Sequence, residues 1–284
     1  MPELDTGRLD RDGVQDRSAG RLARAIGILR ERGPLEPFRL VRRHGLAASA
    51  GFVTRNVRHL VADRLARNWD RDHGVDTAGS IQLAGLNVVG TNRDQGNECL
   101  CTSPRTFDFI MRSLAADLGD RTFIDIGAGK SRTLLLASRY PFAKIVGVEF
   151  AHELVEIAKR NITAFHDPGQ KCRDIEVVEA DAAAYKFPPT PLVVYFYNPF
   201  SKRVFDIVIS NLVASLRENG RACHVVYGSS SHAAIDWAKP AILASNAFEQ
   251  LPTPPMPGFL DAVRRIDYAV FRYRPDGGED RPAA

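Results

Sequence analysis

The chain has 284 residues, 44% hydrophobic and 25% charged, with a formal net charge of +4. That composition suits one large globular domain, or a domain plus an extension, and no apolar run approaches the roughly 20 residues that span a bilayer. Four cysteines in this length do not make a disulfide scaffold. Cys99 and Cys101 sit too close together to bridge without strain, and no matching Cys or His pair nearby forms a zinc site. All four are expected to be reduced, with no metal and a cytoplasmic location.

Residues 1–20 are polar, with no apolar stretch of the kind a secretory signal needs, and are expected to form a disordered tail. Residues 21–96 follow as a basic helical extension and loop. Positions 21–72 hold 12 Arg against 5 acidic residues. Leu22, Ile26 and Leu29 share a helical face that ends at Gly33-Pro34. In the next amphipathic run Val53, Val57, Leu60, Val61 and Leu65 share a face, with Arg55, Arg58, Arg64 and Arg67 elsewhere. Such a helix either presents Arg to an anionic surface, RNA or a membrane, or packs on the main domain and solvates its outer side. Residues 69–104 are rich in Gly, Asp, Asn and Thr, and are expected to be loop with one short hairpin.

The remaining domain, assigned to 97–284, opens with a predicted helix from Phe107 to Leu118. Apolar runs at 122–126, 145–149, 175–178, 192–197 and 222–227 are expected as buried strands, with helices between them at 130–139, 152–165, 203–217 and 232–244. This alternation predicts an α/β fold, a doubly wound and mostly parallel sheet with helices on both faces. The period-two run IDYAVFRYR, Ile266 to Arg274, is expected to be a late strand, antiparallel at the sheet edge.

The run TFIDIGAGKSRTLLLAS contains a glycine loop that can be tested against three ligands. A phosphate loop needs G-x-x-x-x-G-K-[ST]. Gly129, Lys130 and Ser131 match its end, but Ile124 stands at the opening glycine and Asp125 would repel the anion. A dinucleotide loop needs G-x-G-x-x-G, and Arg132 replaces its third glycine. S-adenosylmethionine carries an ammonium and a sulfonium, so Asp125 becomes an asset. Gly127 and Gly129 let the backbone approach such a ligand, and Glu149 at the end of the second strand can accept ribose hydroxyls. NAD enzymes use the Glu149 position too; Asp125 distinguishes the two. Asp181 in VVEADAAAYKFP can accept the adenine amine, with Ala182 donating its N–H, or can serve as a helix N-cap. Tyr195 to Phe200, YFYNPF, ends the fourth strand where open α/β sheets bind ligands.

In this order DIGAGKSR, GVEF, EADA and YNPF resemble the successive motifs of a class I, Rossmann-like S-adenosylmethionine-dependent methyltransferase, over roughly residues 97 to 274. The resemblance implies a seven-stranded sheet with an antiparallel last strand. It also implies that the segment before the first strand, ECLCTSPRTF, covers the methionine end of the cofactor, with Thr102 and Arg105 as candidates for its carboxylate. Asn198, Pro199 and Tyr197 are the catalytic candidates: the Asn198 oxygen and the Tyr197 carbonyl would orient an acceptor nitrogen. Amino-group methyltransferases that carry Asp/Asn-Pro-Pro-Tyr/Phe have one more proline than this chain. An oxygen acceptor would need a base, for which His73, Asp76 and His232 are candidates. The acceptor itself is not legible. Two competing readings are a cofactor-binding module that acts through its basic N-terminal helices on RNA or membranes, and a dehydrogenase that requires NAD.

Overall fold

A computed structural model describes residues 61–79, 81, 83, 85–97, 101–114, 116–230, 232–257 and 266–275. The predicted tail and first basic helix lie outside the described residues, as do Val53, Val57 and Leu60. Residues 61–73 are helical (α1). The apolar face predicted there is not buried at its described end: Val61 is 43% exposed and Leu65 54%.

The rest of the chain alternates as expected. Helix α2 (Pro104–Arg112) precedes β1 (Thr122–Ile126), α3 (Arg132–Ala137), β2 (Lys144–Glu149), α4 (His152–Ala164) and β3 (Ile175–Glu179). Then come β4 (Leu192–Tyr197), α5 (Lys202–Asn219), β5 (Cys223–Ser229), α6 (His232–Leu243), β6 (Phe248–Leu251) and β7 (Asp267–Tyr273). The seven strands form one sheet in the order β3-β2-β1-β4-β5-β7-β6. Neighbours from β3 to β5 pair in parallel, and β7 runs antiparallel to both β5 and β6. This is the doubly wound, seven-stranded sheet with an antiparallel last strand that the resemblance implies.

Three local expectations are corrected. The late strand is not at the edge: β7 lies between β5 and β6, and its residues Tyr268, Ala269, Val270 and Phe271 are all buried. The edge belongs to β6, whose FEQL carries little apolar signal because only Phe248 is buried. The helix expected over 107–118 begins at Pro104 and ends at Arg112. Ser103 Oγ accepts from Thr106 N at 3.2 Å, Pro104 occupies the first turn, and the Ser113 hydroxyl donates to Ile110 O at 2.6 Å at the far end. Leu114 and Leu118 stay buried beyond it, which is why the apolar spacing overran the helix. Finally, the bridges of the described residues within 69–104 do not form the short hairpin expected there. Val88 bridges to Ala151 and Gly96 to Phe200, so this stretch is stitched to the ends of other elements.

Both faces of the sheet are covered. Ile124, Ile126, Val194 and Phe196 pack with Val204, Phe205, Val208 and Leu212 of α5. Phe123, Val193 and Tyr195 pack on the other side with Phe107, Ile110 and Met111 of α2 and Leu134 of α3. Successive strand residues feed opposite cores, so strands buried on both sides appear in sequence as unbroken apolar runs. The strand order reverses between β1 and β4, the switch point of the sheet, and a crevice opens there beyond the strand ends.

Candidate functional site

That crevice is a cleft with about 890 Å³ of space, including its open mouth. Asp125, Gly127, Gly129, Glu149, Asp181, Ala182, Tyr197 and Pro199 all line it. Elements separated by up to 74 positions in sequence converge there because β1, β2, β3 and β4 end side by side.

Asp125 is the penultimate residue of β1, in register with Gly147 of β2 and Tyr195 of β4. It is 3% exposed. Burial drives its pKa well above 3.8, a hydroxyl bond from Thr133 offsets part of that, and the negative Glu149 adds to the rise. The ion that would relieve it is therefore a cation. Gly127 has φ +83, and a Cβ there would lie 2.5 Å from Pro199 Cβ. The loop and the end of β4 approach so closely that no side chain fits between them. Ser131 takes φ +73 at the N-cap of α3 and is fully buried.

Glu149 ends β2 and is 4% exposed. Burial raises its pKa, against three backbone donors that lower it. Its Oε2 accepts from Gly129 N at 2.8 Å, and its Oε1 accepts from Phe150 N at 2.9 Å and Ala151 N at 3.0 Å. A carboxylate has about four acceptor sites, so one remains, on Oε2. Asp181 caps a 3₁₀ turn through Oδ1, which accepts from Ala183 N at 2.9 Å, while Oδ2 accepts from Asn92 Nδ2 at 2.8 Å. The capping role and a place in the cleft are thus both real, and each oxygen keeps one acceptor site.

Three candidates fall outside the lining. Asn198, at φ +45, turns its Oδ1 to the Tyr227 hydroxyl at 3.1 Å, and its backbone carbonyl accepts from Asn97 Nδ2 at 2.9 Å. Thr102 is buried, with Oγ1 3.2 Å from the Tyr195 hydroxyl. Arg105 is exposed on the first turn of α2. Among the base candidates, His73 stacks on Trp69 at 4.2 Å and Phe165 at 5.5 Å, and Asp76 pairs with Lys130. Neither lines the cleft.

What sequence reasoning missed is the job of Lys130 and Arg132. Both are buried, at 5% and 3% exposure, and both line the cleft. They hold residues 66–78 across the glycine loop. Lys130 Nζ donates to Asp76 Oδ1 at 2.8 Å and to the Ala78 carbonyl. Arg132 Nη2 donates to Asp70 Oδ1 at 2.7 Å and to Ala66 O at 3.1 Å, its Nε donates to the Thr77 hydroxyl, and its guanidinium lies 4.3 Å over the Trp69 ring. Asp70 also accepts from Thr77 N at 2.8 Å and Ala78 N at 2.6 Å. Asn161 of α4 completes the seat, donating to Asp76 O at 2.7 Å and Lys130 O at 2.9 Å. Through this strap Thr77 reaches the cleft. Among the described residues, no group of three or more His, Cys, Asp or Glu is placed to hold a metal, and no helix is long and apolar enough to cross a membrane.

No family model and no curated protein matches the chain. Among solved structures, it resembles precorrin-6y C5,15-methyltransferase from Geobacter metallireducens GS-15 at 16% identity, over 61% of this chain and 89% of that one, with a TM-score of 0.44. The ribosomal protein L11 methylase of Lactobacillus delbrueckii subsp. bulgaricus matches at 16% identity over 58% and 74%, with a TM-score of 0.42. Geranyl diphosphate C-methyltransferase of Streptomyces coelicolor A3(2), in complex with Mg2+, geranyl diphosphate and S-adenosyl-L-homocysteine, matches at 12% identity over 60% and 78%, with a TM-score of 0.40. Likeness at this level leaves the chemistry of the cleft to its own residues.

Proposed function

We propose that the chain is an S-adenosylmethionine-dependent methyltransferase whose cofactor occupies the cleft at the ends of β1 and β4. The observation that carries this is Asp125: a carboxylate buried in a cleft, with a second buried carboxylate, Glu149, as the charge that acts on it. Phosphate-bearing ligands would add a third negative group to that site. A ligand with a cationic amino end does the reverse, and it restores to Asp125 the partner that burial has denied it.

The remaining residues fit the rest of such a molecule. Glu149 keeps one acceptor site for a ribose hydroxyl, and Asp181 keeps acceptor sites for the adenine amine beside the Ala182 backbone. Gly127 and Gly129 leave room for close approach. When bound, the cofactor supplies an activated methyl group on its sulfonium. The protein's task is then to place an acceptor in line and exclude water, and positioning of that kind contributes up to about 7–11 kcal/mol. Tyr197 and Pro199 form the wall nearest the end of β4, so they are the residues we assign to the acceptor side. With Asn198 Oδ1 held by Tyr227, that residue shapes the turn and would meet an acceptor only after releasing this bond.

The test is calorimetric titration with S-adenosylmethionine, S-adenosylhomocysteine, NAD and ATP. Micromolar binding of the first two alone supports the reading. Preference for NAD or ATP would sink it, as would indifference to all four.

A further inference from the structure

The glycine loop combines two features that oppose each other. Its acids, Asp125 and Glu149, suit a cationic ligand, yet Lys130 and Arg132 bring two buried positive charges to the same cleft. Left bare, they would cancel the two acids and remove the preference for a cation. Among the described residues Arg132 Nη1 meets no hydrogen-bond partner. The strap supplies what is needed to reverse the balance: Asp70 against Arg132 at 2.7 Å and Asp76 against Lys130 at 2.8 Å. The pairing is one to one, and both carboxylates come from a segment more than 50 residues upstream of the loop they neutralise.

We infer that Asp70 and Asp76 determine the charge selectivity of the cleft, by neutralising Arg132 and Lys130 so that a cationic ligand meets the net field of Asp125 and Glu149. This rests on the cofactor reading above. Neither carboxylate lines the cleft; each is a positioning residue acting through its partner. The seated strap also places Thr77 in the lining.

S-adenosylmethionine and S-adenosylhomocysteine isolate the electrostatic part, because the second lacks the methyl group and with it the sulfonium charge. The experiment measures both dissociation constants for wild type, Asp70→Asn and Asp76→Asn. A residue that only holds the fold together weakens both ligands alike. The inference predicts that each variant loses about fivefold more affinity for S-adenosylmethionine than for S-adenosylhomocysteine, the size expected for one unit charge at close range under water-like screening. It also predicts that Lys130→Gln, added to Asp76→Asn, restores the wild-type ratio by removing the charge left exposed. If Asp70→Asn does not fold, Asp76→Asn carries the test, since the Asp76 side chain is 58% exposed. Wild-type binding of both ligands with an unchanged ratio in the folded variants would overturn this inference alone. Failure of wild type to bind either ligand would overturn the cofactor reading and this inference with it.

Discussion

On one side of the glycine loop, Arg132 and Asp70 are buried against each other at 2.7 Å, with Thr77, Ala78 and Ala66 adding further hydrogen bonds. On the other side Asp125 is just as deeply buried, and it has a hydroxyl from Thr133 and the repulsion of Glu149. The two clusters share a loop and a degree of burial and differ in whether the charge is answered from within the chain. An answered charge holds a segment in place, and removing half of it is costly. An unanswered one burdens the empty protein and is kept for what binds there.

If this contrast holds, variants at the two clusters should move stability in opposite directions. The largest effect belongs to the answered side. Arg132→Ala leaves Asp70 buried without its partner and is expected to cost about 3–5 kcal/mol in urea unfolding. A loss under 1 kcal/mol would mean that the strap is not fastened as described. Next comes Gly127→Ala, which places a methyl group at φ +83 within 2.5 Å of Pro199 Cβ. It should cost about 1–3 kcal/mol and weaken ligand binding, because either the loop or the cleft wall must shift. A neutral outcome there would show that the wall yields freely.

The unanswered side gives the opposite sign. Asp125 has a folded pKa above its unfolded value of 3.8, so the folded state holds more protons than the unfolded one between those two values. Its contribution to stability is therefore fully present at acid pH and is lost as pH rises through the folded pKa. Asp125→Asn removes that loss. The variant should melt closer to wild type near pH 4 and progressively above it toward about pH 7. A gap that shrinks with rising pH would contradict the assignment. The smallest effect is at Asp76→Asn, where the partner carboxylate is largely exposed: under about 1 kcal/mol in stability, even as ligand selectivity changes.

The sheet was legible in the sequence because strands buried on both faces are written as apolar runs, and β1 and β4 match their predicted limits residue for residue. Strand β6 was not, because an edge strand with one buried residue leaves no pattern to find. The loop's acids could be assigned because the chemistry of Asp125 is local: one residue, two glycines away from the ligand it would meet. Lys130 could be read only as a match to the end of a phosphate loop, and Arg132 only as a poor fit to a dinucleotide loop. Their partners Asp70, Asp76 and Thr77 sit in a stretch whose Gly and Asp content reads as plain loop, and no spacing rule links WDRDHGVDTA to GAGKSR. Asn198 shows a similar limit. Its position after β4 was legible, but the Tyr227 hydroxyl that takes its side-chain oxygen comes from β5, 29 residues on.

The central claim is that Asp125 is reserved for a cationic ligand. The most direct test is the melting temperature of wild type and Asp125→Asn at neutral pH, each with and without S-adenosylmethionine. The account predicts a crossing: the variant melts higher than wild type when empty, and the ligand raises Tm of wild type while leaving the variant unmoved. A variant that melts lower than wild type when empty, or that gains as much from the ligand, would contradict it.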